Sequence, residues 1–144
     1  MPYSIRPYRR LPLTYFSGFW SLIMLLVLSS GAGYAEWKKI NENETFTVYV
    51  DPDTVRRKGD LVKMWELYDF KTVQTVDGDS YLSSKHQTEF DCAEERSRIR
   101  AYTWFSGNKG GDKPVYSHSD EGKWEPVSPG SVGLILWKFA CGKE

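Results

Sequence analysis

Turn-forming residues cut residues 36–144 into short lengths, and that spacing leaves little room for anything but an antiparallel sheet. Asp51-Pro52-Asp53 reads as a turn or loop start, because Pro fixes its own φ and flanking Asp side chains bond nearby amides. Lys58-Gly59-Asp60 is a second turn signal. Asp77-Gly78 is a third, of the kind that closes hairpins, since Gly tolerates a positive φ. Residues 107–114 form a Gly-rich loop, and Asp120-Glu121-Gly122 is a tight turn. Strand-like segments fall between these breaks, near 37–40, 46–50, 61–71, 81–91, 98–105, 115–119 and 123–127. Connections this short favour antiparallel neighbours. No internal repeat is present.

Side-chain alternation supports the strands. Phe46, Val48 and Val50 share one face, with Thr47 and Tyr49 on the other. Leu82, Ser84, His86, Thr88 and Phe90 share a face, joined by Cys92 if the strand continues. The 61–71 segment is apolar on both faces, with Val62, Met64, Tyr68 and Phe70 opposing Leu61, Trp65 and Leu67, which suits a central strand. Ile99, Ala101, Thr103 and Phe105 lie opposite Arg98, Arg100, Tyr102 and Trp104.

The C-terminal segment has a different period. Ser128-Pro129-Gly130-Ser131 reads as a helix start, with Ser at the cap and Pro at the first helical position. Val132, Ile135, Leu136, Phe139 and Ala140 repeat at helical spacing, with Leu134, Trp137 and Cys141 on an adjacent stripe and Gly142 as the stop. A helix with so few polar positions must be largely buried. The expected architecture is α+β: an antiparallel sheet of about six strands with one C-terminal helix on one face.

Residues 1–35 have the order of a secretory signal peptide: basic Arg6, Arg9 and Arg10, an apolar stretch, then small residues up to Ala35. The rival reading is an uncleaved anchor, but Pro12, Thr14, Ser17, Gly18 and Ser21 dilute the apolar stretch. Cleavage before Glu36 leaves one small domain, residues 36–144. It removes three arginines and no acidic residue from 19 basic and 19 acidic side chains, for a net charge of −3. That balance argues against nonspecific nucleic-acid binding, which relies on positive charge. Export also predicts that the two cysteines, Cys92 and Cys141, pair with each other. Closing that loop would stabilise the fold by about 3–5 kcal/mol if chain entropy dominates.

Catalytic patterns are weak. Ser84 and His86 share a strand face, yet no Gly-x-Ser-x-Gly elbow surrounds a serine there. Asp91, Glu94 and Glu95 lack an EF-hand pattern and have Arg96, Arg98 and Arg100 nearby as ion-pair partners. The 107–111 loop lacks the Gly-Lys-Ser/Thr ending of a phosphate loop. Two cysteines, with His86 and His118 as the only histidines, do not by themselves make a tetrahedral metal site. The chain is therefore expected to be no enzyme and to need no cofactor or metal.

Three ordered stretches are familiar. The first runs from Val48-Tyr49-Val50-Asp51-Pro52-Asp53-Thr54-Val55-Arg56-Arg57 through Val62-Lys63-Met64-Trp65. The second is Tyr81-Leu82-Ser83-Ser84-Lys85, leading to Glu89-Phe90-Asp91-Cys92, then Arg96 and Arg98. The third is Trp124, then Pro129-Gly130-Ser131, ending at Trp137 and Cys141. In these the chain resembles the surface-adhesin protein E family of bacterial exported proteins. The resemblance implies a curved antiparallel sheet whose C-terminal helix is held to the concave face by the Cys92–Cys141 disulfide. It also implies a non-enzymatic role in the periplasm or at the cell surface, with a host extracellular-matrix or serum protein as partner.

Arg96, Arg98, Arg100, Tyr102 and Trp104 would fall on one strand face by simple alternation. Alternating cations and aromatics can bind anionic or extended partners, so Arg98, Arg100, Tyr102 and Trp104 are the candidate contact residues for a protein partner, with Lys85 as neighbour. The competing reading pairs Arg98 and Arg100 with acidic residues on the next strand. A second copy could dock at a sheet edge as a homodimer. Two alternative functions stay open. One is a periplasmic enzyme inhibitor acting through the 107–114 loop. The other is a small-ligand carrier with a pocket between sheet and helix.

Overall fold

The computed structural model describes residues 36–144, so the signal-peptide expectation for 1–35 and the cleavage before Glu36 lie outside the described residues. Seven strands form one antiparallel sheet: β1 (Lys38–Glu42), β2 (Phe46–Lys58), β3 (Leu61–Val76), β4 (Asp79–Asp91), β5 (Arg96–Phe105), β6 (Pro114–His118) and the short β7 (Glu125–Pro126). Strands β1 to β6 pair in chain order, and β7 pairs with β5 beside the stretch that β6 leaves free. The predicted hairpins form where Gly permits them: Gly59 (φ 61°) turns β2 into β3, and Asp77 (φ 48°) with Gly78 (φ 84°) turns β3 into β4.

One expected break is absent. β2 runs through Asp51-Pro52-Asp53, where the β2–β3 register shifts between Asp51 and Arg56. Asp51 accepts the Asp53 amide at 3.1 Å, and the Thr54 hydroxyl accepts the Trp65 amide at 3.0 Å. Pro52 sits in that irregular stretch and past the end of the β1 pairing, where a missing N–H costs nothing.

Helix α1 (Val132–Cys141) closes one face of the sheet. Its N-cap is Ser131, whose Oγ accepts the Leu134 amide at 3.1 Å; Pro129-Gly130 forms the preceding turn and not the first helical positions. Gly142, at φ 65°, ends the helix as expected. Leu136, Trp137, Ala140 and Cys141 are buried against Val48, Val50, Val62, Met64 and Phe90, whereas Ile135 faces outward. The buried stripe is thus rotated from the one the periodicity suggested, toward Trp137. The Cys92–Cys141 disulfide ties the helix end to the sheet, and the Trp137 Nε1–H donates to the Asp91 carbonyl at 2.8 Å beside it.

Candidate functional site

The five candidate contact residues do not share a face. On β5 the pairing with β4 passes from Gln87↔Ala101 to Thr88↔Ile99, leaving Arg100 as the extra residue of a β-bulge. Every side chain beyond a one-residue slip changes face. Ile99, Tyr102 and Trp104 therefore stand on the helix side of the sheet, opposite Thr88, His86 and Ser84. Arg98 stands on the other side, opposite Glu89.

The arginines are engaged there. Glu89 is 3% exposed. Arg98 Nη2 lies 2.6 Å from Glu89 Oε1 and 2.8 Å from Glu121 Oε1. Arg100 Nη1 lies 2.6 Å from Glu121 Oε1 and 3.5 Å from Glu89 Oε1. The Arg96 and Arg98 guanidinium groups lie 4.8 and 4.4 Å from the Trp124 ring centroid. Lys85 is on this face too, with Nζ 5.1 Å from the Phe105 ring centroid and 5.8 Å from that of Trp37. The 107–114 loop also folds against this side. The Gly110 amide donates to Ser83 Oγ at 2.8 Å, and the Lys109 amide to Asp69 Oδ1 at 2.8 Å. Arg98 and Arg100 are thus ion-paired with Glu89 of β4 and with Glu121 between β6 and β7, and Lys85 lies over aromatic rings.

The helix side beyond α1 is aromatic. Tyr81 stacks on Trp104 with centroids 4.4 Å apart and planes 14° apart. Trp104 meets Tyr116 at 4.9 Å, and Tyr102 meets His118 at 5.3 Å. Phe46, Phe70 and Tyr68 carry the contact back to the core under the helix. Tyr116 is 39% exposed and the other rings of the outer group are half-buried. Alternation places Tyr102, Trp104 and Tyr116 once the β5 bulge is counted, whereas Tyr81 reaches this side beyond the β3–β4 register shift between Asp69 and Gln74. Sequence reasoning found Tyr102 and Trp104 but missed Tyr81 and Tyr116; the pairing that joins them depends on register.

Between this surface and α1 lies a cavity of about 130 Å³. Glu66 of β3, 2% exposed, contributes its carboxyl to the wall, and its Oε1 has no hydrogen-bond partner. Burial pushes the Glu66 pKa up to about 8, partly offset by the Thr88 and Tyr68 side chains. Burial likewise lowers His86 to about 4, and burial beside Glu66 pushes the Tyr68 phenol upward. His86 Nε2 and Ser84 Oγ are 2.6 Å apart. Ser84 is buried, and the two side chains satisfy each other. Among the described residues no cluster of His, Cys, Asp and Glu is arranged to hold a metal ion.

The described residues form a small, disulfide-tied α+β domain with a side-chain surface beside its helix left uncovered by that helix. The chain belongs to the surface-adhesin protein E family, whose model matches residues 37–142. That family is one of exported, cell-surface adhesins. No curated protein matches the chain in sequence. Among solved structures, crystal form II of Haemophilus influenzae protein E is similar with a TM-score of 0.62 at 9% identity, covering 77% of this chain and 91% of that one. Protein E from non-typeable Haemophilus influenzae gives a TM-score of 0.58 at 8% identity, covering 78% of this chain and 79% of that one. At such identity the likeness carries the fold, an antiparallel sheet with a C-terminal helix.

Proposed function

We propose that this chain is a non-enzymatic adhesin that grips a protein of the host matrix or serum through the aromatic half of its helix-side face. The observation that carries the reading is the joined group Tyr81, Trp104, Tyr102 and Tyr116, which α1 leaves uncovered. Large amphipathic rings held at fixed spacing give contact area at low entropic cost and are common binding anchors. Of the candidate contact residues Lys85, Arg98, Arg100, Tyr102 and Trp104, we keep Tyr102 and Trp104. Lys85, Arg98 and Arg100 are assigned to the fold, because each already has partners.

The inhibitor alternative draws less support, since the 107–114 loop is bonded back onto Asp69 and Ser83 and does not protrude. The test is capture of purified exported protein by a panel of matrix and serum proteins, run beside a periplasmic extract. Trp104→Ala and Tyr116→Ala should each weaken capture about tenfold or more while the thermal transition stays in place. Capture that is unchanged in both variants would remove this face from consideration. Retention only by a periplasmic enzyme would favour the inhibitor.

A further inference from the structure

The Glu66 cavity is independent of the adhesin surface and has the make-up of a ligand site. Three observations meet there. The space, about 130 Å³, is close to the ~150 Å³ of an engineered cavity that holds benzene. Its wall is partly apolar, from Phe90 and Leu136, and partly aromatic, from Tyr68 and His86. Glu66 is one of its lining residues, and the buried Oε1 of that carboxyl has no partner. Buried polar atoms are nearly always paired, so a carboxyl with an orphaned oxygen in the lining of a cavity is a candidate for an added partner. On the β5 side the cavity is lined by Ile99, which is 42% exposed.

The sign of the site follows from the groups around the carboxyl. Tyr68 on the same strand is neutral, His86 on β4 is held neutral by burial, and Tyr102 beside it on β5 is a phenol pushed upward. Helix α1 contributes Gly133 and Leu136 to the wall and no ionisable side chain. The carboxyl is thus the one group in that wall able to carry charge near neutral pH. An anion has nothing to pair with, whereas a cation would find a carboxylate in the lining and ring faces along the side.

We propose that this cavity binds a small organic ammonium ion, whose N–H groups donate to the Glu66 carboxylate while its carbon body fills the space beside Tyr68, Phe90 and Leu136. Because the empty site holds Glu66 protonated at neutral pH, binding must expel that proton to solvent. Affinity should then rise about tenfold per pH unit below pH 8 and level off above it.

The test uses n-butylammonium and its neutral isostere n-butanol on the purified exported protein. Binding is followed by the NMR signals of Gly133 and Ile99, and proton release by calorimetry in two buffers of different ionisation enthalpy. The expected result is n-butylammonium binding at pH 7 with release of close to one proton, and n-butanol binding at least tenfold more weakly. Glu66→Gln should lose the release and weaken the ammonium at least tenfold. Three outcomes would overturn the proposal: n-butanol binding as tightly as the ammonium, ammonium binding without proton release, or no response at Gly133 and Ile99, which would mean the cavity holds only water. The release is read on the unaltered protein, so the test stands even if Glu66→Gln fails to fold.

Discussion

Glu66 and His86 face each other across β3 and β4, and their titrations pull stability in opposite directions. Glu66 keeps its proton in the fold up to about pH 8 but loses it near 4.5 when unfolded. The fold then binds more protons than the unfolded chain, so stability falls as pH rises through that window. His86 is neutral in the fold down to about pH 4 but protonated below 6.5 when unfolded, so stability falls as pH drops from 6.5 to 4. The two slopes oppose each other between 4.5 and 6.5, and above 6.5 only Glu66 acts. Urea denaturation should therefore show about 2 kcal/mol less stability at pH 8 than at pH 6.5. Glu66→Gln should flatten that decline; a decline unchanged in the variant would assign it to other groups. The sequence reading passed over Glu66, although it stands within the alternating set Val62, Met64, Tyr68 and Phe70 on the face that packs inward. Its lack of a partner was not legible, because that depends on which atoms of α1 and β4 arrive opposite.

At the level of elements, the ion pairs on β5 and the disulfide on α1 both serve cohesion. Arg98 and Arg100 neutralise Glu89, which lies almost wholly out of solvent, and removing them would leave that carboxylate buried with Lys63, at 4.0 Å, as its remaining counter-charge. The double change Arg98→Ala with Arg100→Ala should cost about 3 kcal/mol, read as a lower denaturation midpoint, with Glu89→Gln in the same background recovering part of it. An unmoved midpoint would return the arginines to the pool of contact candidates. The helix has only ten residues and stands by packing and by its tether. Cys141→Ser should cost about 2–5 kcal/mol and selectively raise hydrogen exchange in α1. The pairing of Cys92 with Cys141, the hairpin at Asp77-Gly78 and the Gly142 stop were all readable, since each rests on local chemistry or on compartment. The β5 bulge was not: alternation assumes one residue per step, and only the β4 partner reveals that Arg100 is surplus.

For the whole molecule, the order of six paired strands with a helix on one face follows from turn spacing and a change of period, which is why the architecture was readable in outline. The surface was less readable, because it depends on parity summed over several strands. If recognition uses the aromatic face, capture should be nearly indifferent to salt, since no free cation lies among Tyr81, Trp104, Tyr102 and Tyr116; a steep loss of capture between low and high salt would instead implicate the charged side. The bulge at Arg100 has one more consequence, for variation. A substitution in β5 edits one contact, but deleting Arg100 would restore strict alternation and force a choice between two halves of the strand. Either Arg98 leaves Glu89 for the helix side, or Tyr102 and Trp104 turn over to join Lys85. In this sheet a change in chain length by one residue can exchange what the protein shows to its surroundings, while every side chain that does the showing stays the same.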